Sequence, residues 1–143
     1  MFVGGVAGKL ARSLLKDAEP TRRKVFVSFD FDEDRALRHL ILGQLKNPHL
    51  KIDIVDHSLK EAAPEKNWEA KAKRAIARAD LVLVIVGPKT HRAKGVLKEV
   101  AMARQLGVKI IQMIGYSHGD YTPVPNAGKL YAWSFKNLQN LLT

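Results

Sequence analysis

An open parallel β-sheet of four or five strands, covered by helices on both faces, is the fold that this sequence predicts. Two observations carry the prediction. From Pro20 to the C-terminus, short β-branched and apolar runs alternate with stretches of helical periodicity. The runs themselves, above all "LVLVIVG" at residues 81–87, are continuously apolar, as strands buried on both faces must be. At 143 residues the chain has the size of one such domain, over residues 23–143, behind an N-terminal extension over residues 1–22.

Each element has its own signal. In the extension, Leu10, Leu14 and Leu15 with Lys9, Arg12 and Lys16 fit a short amphipathic helix ended by Pro20. The same segment has no positive region ahead of its apolar residues and does not read as a signal peptide. "KVFVSF" is the first strand. "FDEDRALRHLILGQLKN" predicts one helix, with acidic residues in the first turn and Leu37, Leu40, Ile41 and Leu45 as its apolar stripe. "KIDIV" is the second strand. "PEKNWEAKAKRAIARA" is a helix with Trp68, Ala72, Ala75, Ile76 and Ala79 on one side and a basic stripe of Lys71, Arg74 and Arg78 on another. "LVLVIVG" is the third and central strand. The helix that holds Glu99 ends near Gly107, and "KIIQMIG" is the fourth strand. "YSHGDYTPVPN" is a loop, and "KLYAWSFKNLQNLL" supplies a short edge strand and a closing helix capped by Ser134.

Composition narrows the function. Without cysteine, disulfide frameworks, thiolate catalysis and cysteine-ligated zinc are excluded, which fits a cytoplasmic location. No apolar run approaches the roughly 20 residues that cross a bilayer. A formal charge of +10 makes part of the surface electropositive and suits a phosphate-bearing partner: a nucleotide, a nucleic acid or an anionic membrane. The basic stripe lacks the interleaved aromatics that stack on bases, so it reads as a solvated face and nucleic acid is disfavoured.

Parallel sheets of this kind bind ligands at the carboxyl edge, where the strand order reverses. That rule singles out Asp30 and Phe31 after the first strand, His57 and Ser58 after the second, Thr90 after the third and Tyr116 to His118 after the fourth. Glu99, in the first turns of its helix, leans toward the same edge.

Several constellations fail. "GGVAGKL" lacks the spacing and the preceding strand of a phosphate-binding loop, and the dinucleotide fingerprint is absent. The acidic "DFDED" matches the first loop of receiver domains, but the third strand ends in Val86, Gly87 and Pro88 where those domains need an aspartate. His39, His49, His57, His91 and His118 lack the pair spacing of a helical metal site, and no metal is predicted. Ser28 and Ser58 lack the setting of a hydrolase nucleophile.

Taken together, "KVFVSFDFDEDR", "DHSLKEAAPEKNWEAKAKRAIARADLVLVIVGPKT", "KEVAMARQLGVKII" and "YAWSFKNLQNLL" resemble, in that order, the TIR-like (Toll/interleukin-1 receptor) family. This family includes the nucleotide-signalling proteins of bacterial Thoeris anti-phage defence. The resemblance runs from about Arg23 to the C-terminus, and its specificity lies in the order and spacing of moderately specific motifs. It covers the aromatic and acidic loop at Phe29, Asp30, Phe31 and Asp32, the helix with Trp68, and the Gly-x-x-Thr turn at Gly87 and Thr90.

The resemblance implies a flavodoxin-like sheet of strand order 2-1-3-4-5, with Glu99 as the catalytic residue. It implies cleavage of the nicotinamide–ribose bond of NAD to an ADP-ribose-type product, cyclic in the Thoeris relatives, with NAD as substrate and no cofactor. Phe29, Asp30, Phe31, Ser58, Thr90 and Lys94 would bind substrate, with phosphates near helix N-termini beside Lys89, Arg92 or Lys94. Phe29 has an alternative as a core residue, and Lys94 as a solvated charge. Implied partners are a second copy of the chain, a phage-derived trigger and a downstream effector. The chain departs from the family pattern S-x-W-V-x-x-E, reading "AKGVLKE" with Ala93 and Gly95. The alternative function is a non-catalytic module that binds a protein or a nucleotide.

Overall fold

The computed structural model describes residues 22–55, 67–116 and 118–143. The chain runs through β1 (Arg23–Phe29), α1 (Phe31–Asp34), a 3-10 turn (Arg35–Leu37), α2 (Arg38–Leu45), β2 (Ile52–Ile54) and α3 (Trp68–Ala77). It continues through β3 (Leu81–Val86), a 3-10 turn (Thr90–Arg92), α4 (Lys94–Leu106), β4 (Lys109–Ile114), β5 (Leu130–Tyr131) and α5 (Phe135–Leu142). All five strands are parallel, in the order β2-β1-β3-β4-β5. This is the flavodoxin-like, TIR-like α/β architecture that the sequence predicts. The predicted extension, apart from Arg22, lies outside the described residues.

Alternation along the strands divides the core into two layers. Val25, Val27 and Phe29 of β1, Leu81, Leu83 and Ile85 of β3, and Ile111 and Met113 of β4 pack with Ile41 and Leu45 of α2 and Leu138 and Leu142 of α5. On the other face Phe26, Val82, Val84 and Val86 pack under Ala72, Ala75 and Ile76 of α3 and Val96, Val100 and Ala103 of α4. All six residues of β3 are buried, as its central position requires. The alanines let α3 lie close to the sheet, and its neighbour α4 reaches across with Lys98, whose ammonium meets Glu69 at 2.5 Å and lies 5.9 Å over the Trp68 ring.

The helix ends follow their local chemistry. Gly107 adopts φ 71, the left-handed conformation that costs glycine nothing, and Val108 N then donates to Ala103 O at 2.8 Å to close α4. Ser134 caps α5 by accepting from Asn137 N at 3.0 Å.

One predicted element is corrected. The segment from Phe31 to Leu45 is three short pieces and not one helix. Asp34 departs from helical geometry at φ −112, ψ 23, and the tight turn after it changes the helical phase. Leu37, Ile41 and Leu45 then form a narrow stripe, spaced every fourth residue, against the sheet, and Leu40, expected in that stripe, is 65% exposed.

Gln112 is a polar residue buried in the middle of β4. Its amide nitrogen donates to Val124 O at 3.3 Å and Gly128 O at 2.6 Å, and its oxygen accepts from Val124 N at 2.8 Å. One side chain thereby satisfies the backbone of the loop that leads to β5. Gln112→Leu keeps the volume but strands those groups, and is expected to lower stability by about 2–4 kcal/mol. The midpoint of urea unfolding measures it.

Candidate functional site

Strand order reverses between β1 and β3, so the segments leaving these two strands flank the crevice where this fold places ligands. From β1 come Asp30 and α1. Asp30 Oδ1 accepts from Glu33 N at 3.5 Å, so the aspartate caps the helix that it precedes. From β3 comes "GPKT", a turn closed by Gly87 N donating to Thr90 Oγ1 at 2.7 Å.

The two sides meet at Asp34. This residue is 1% exposed, and Tyr116, just past β4, donates its hydroxyl to Asp34 Oδ1. The carboxyl group rests against Gly87 so closely that a β-carbon there would lie 2.4 Å from Oδ2. Only glycine leaves this room. Burial raises the Asp34 pKa, the hydrogen bond from Tyr116 opposes it, and the charges of Asp30 and Glu33 add to the rise. Burial, then Asp34 itself, pushes the Tyr116 hydroxyl up as well. Tyr116 stacks on Tyr121 with ring centroids 5.5 Å apart, and Tyr121 donates to His118 O at 2.9 Å. An exposed pair, Lys89 Nζ with Glu33 Oε1 at 3.4 Å, spans the same seam and adds little energy in water.

Glu99 lies on the opposite side of the turn, in the second turn of α4, and is 8% exposed. The helix turns it inward with Val96, Val100 and Ala103. Its Oε1 accepts a 2.7 Å hydrogen bond from Ser28 Oγ, 71 residues away on β1 and fully buried. Ser28 pairs in register with Val84, so it lies near the carboxyl end of two adjacent strands. Burial drives the Glu99 pKa up to about 7, and the Ser28 hydrogen bond opposes the rise. A carboxyl group with that value exchanges its proton around neutrality, and in its charged form presents a negative charge in a poorly solvated place.

The other predicted site residues are placed as follows. Thr90 is buried in its turn, Lys94 is exposed at the start of α4, and Phe31 opens α1. Ser58 and His57 lie outside the described residues. Phe29 takes the alternative given for it, that of a core residue: it is 5% exposed and belongs to the core cluster of Val27, Ile41 and Ile85. Sequence reasoning placed Tyr116 at this edge but missed Ser28 and Asp34, and with them the Tyr116–Asp34 and Ser28–Glu99 pairings. The signal was a hydroxyl inside a strand destined for burial on both faces, which must find a partner.

Among the described residues no group of three histidine or acidic side chains could hold a metal, and no helix is long and apolar enough to cross a membrane. A shallow cavity of about 380 Å³ lies at the amino end of β4, between Arg104, Gly107, Asn126 and Gly128. Its one charged group, Arg104, donates to Asn126 O at 3.3 Å.

The family model described as Thoeris protein ThsB, TIR-like domain, matches residues 26–118. A comparison with curated proteins gave no match. The matched stretch contains Ser28, Asp34, Gly87, Thr90, Glu99 and Tyr116, the residues of the carboxyl edge described above. With a parallel sheet of this order and a match over about two thirds of its length, the chain belongs to the Thoeris TIR-like domain family.

Proposed function

We propose that this TIR-like domain acts in anti-phage defence by cleaving the nicotinamide–ribose bond of NAD, with Glu99 as the catalytic carboxylate. The observation that supports it most is the placement of Glu99: buried, hydrogen-bonded to Ser28, and close to the carboxyl end of β1 and β3. For an ordinary helix-surface glutamate, water would be the partner.

The chemistry asks little more. The C1′–N bond breaks with its electron pair going to nicotinamide, which departs neutral from a pyridinium and needs no general acid, unlike the alcohol of an ordinary glycoside. The positive charge left on the ribose is what needs help, and a carboxylate in a dry site stabilises it strongly. Water then adds at C1′ and loses a proton, giving ADP-ribose. If water is kept out, a nucleophilic atom of the same molecule closes the ring. Asp30, Phe31, Ser58, Thr90 and Lys94 would bind the substrate, and the helix N-terminus at Lys94 suits its phosphates. A second copy of the chain would complete the site, a phage-derived trigger would start it, and an effector would read a cyclic product.

Only charged Glu99 serves this role, so kcat/KM is expected to rise with pH around a midpoint near 7. The deciding assay incubates NAD with protein at high concentration, with crowding agent or phage lysate, and follows nicotinamide by mass spectrometry. Release by the wild type that Glu99→Gln loses supports the enzyme. Equal release by both moves the site elsewhere, and silence in both favours a non-catalytic binding module.

A further inference from the structure

We propose that Ser28 is a positioning residue for Glu99: from β1 its hydroxyl holds Oε1 of the carboxylate on α4 and favours its charged form, leaving Oε2 for the sugar. The inference rests on the reading of Glu99 as the catalytic group, and deepens it.

Three features lead there. Ser28 faces the layer of Phe26, Val84 and Val86, where an alanine or valine would pack without any polar cost. A hydroxyl sealed from water in that layer has to be partnered, and its partner is Glu99 at 2.7 Å. The two groups also differ in stiffness. Serine has one side-chain torsion, on a strand paired with β3 through Ser28 itself, whereas glutamate has three torsions. The stiff group therefore fixes the flexible one. Finally, the bond discriminates between protonation states. A hydroxyl donating to a carboxylate makes a charge-assisted bond, roughly twice as strong as the neutral bond that it makes with a carboxylic acid. Removing the donor leaves the burial of Glu99 unopposed.

The test reads Glu99 directly, without requiring turnover. Full-length protein carrying carbon-13 at the glutamate side-chain carboxyl is titrated by NMR, with Glu99→Gln identifying the Glu99 signal. Ser28→Ala is expected to raise the Glu99 midpoint by about one unit, the size of one charge-assisted hydrogen bond. Ser28→Cys keeps the volume with a weaker donor and is expected to raise it by less, so it serves where alanine unsettles the fold. In the nicotinamide assay, Ser28→Ala should lose about fivefold in kcat at pH 7, recover at pH 9, and change KM little.

A Glu99 midpoint unmoved in a folded Ser28 variant overturns the proposal, whether or not NAD is cleaved. A midpoint that moves in a protein that releases no nicotinamide at any pH keeps Ser28 as the residue that governs Glu99 and removes the enzymatic reading.

Discussion

Glu99→Gln is expected to abolish nicotinamide release and, at pH 8 or above, to make the protein more stable than the wild type. The two effects have one cause. Folding takes this side chain out of water, and its pKa rises from the ordinary 4.5 to about 7. The folded state therefore holds the proton more tightly than the unfolded state. With folded pKa above unfolded pKa, the contribution to stability is greatest below pH 4.5. It falls as pH rises through 7 and then stays at its lower level. At roughly 1.4 kcal/mol per unit, the loss across that window is about 3 kcal/mol.

Glutamine resembles the protonated acid at every pH and still accepts from Ser28. The variant should then match the wild type near pH 4 and exceed it by up to about 3 kcal/mol at pH 8.5. Urea unfolding of both proteins at the two pH values measures this. Curves that stay parallel across the range would mean that Glu99 is solvated, and the electrostatic basis for catalysis would go with it.

Gly87→Ala is expected to be the most damaging single methyl group in the described chain. The added carbon would lie 2.4 Å from Oδ2 and 2.5 Å from Oδ1 of Asp34, well inside van der Waals contact. Asp34 cannot swing aside cheaply, because it is buried and accepts from Tyr116. The turn cannot move freely either, because Thr90 is buried and Val86 O, just before the turn, accepts from Gly115 N at 2.9 Å. Overpacking with loss of a buried hydrogen bond predicts about 3–5 kcal/mol of destabilisation. Asp34→Ala removes the obstacle, so in that background the methyl at residue 87 should cost less than about 1 kcal/mol. A double-mutant cycle isolates the coupling. Equal costs in the two backgrounds would show that Gly87 is needed for some reason other than Asp34.

The sheet was legible because its causes are local. Continuous apolar runs demand burial on both faces, and Gly107 and Ser134 stop and start helices through their own backbone and hydroxyl chemistry. What stayed hidden depends on distant partners. Glu99 could be picked out by family order and by its place in the helix, whereas Ser28 meets it across 71 residues and Tyr116 meets Asp34 across 82. No periodicity encodes such pairings. Leu40 was misplaced for the same reason: the anchoring of Asp34 at the sheet edge resets the helical phase downstream, and the apolar pattern alone cannot register it. Buried polar residues inside strand-like runs, Ser28 in "KVFVSF" and Gln112 in "KIIQMI", were the visible hints.

The parallel arrangement also bears on how the chain assembles. No two paired strands are joined by a tight hairpin; β3 reaches β4 through the Thr90–Arg92 turn and α4, while β1 pairs with β3 only across the intervening α1, α2, β2 and α3. Loop-closure entropy favours the nearer pair first, so β1 is expected to dock after β3, α4 and β4 have come together. Until that moment Glu99 keeps its hydration, and the same late step that brings it Ser28 also dehydrates it.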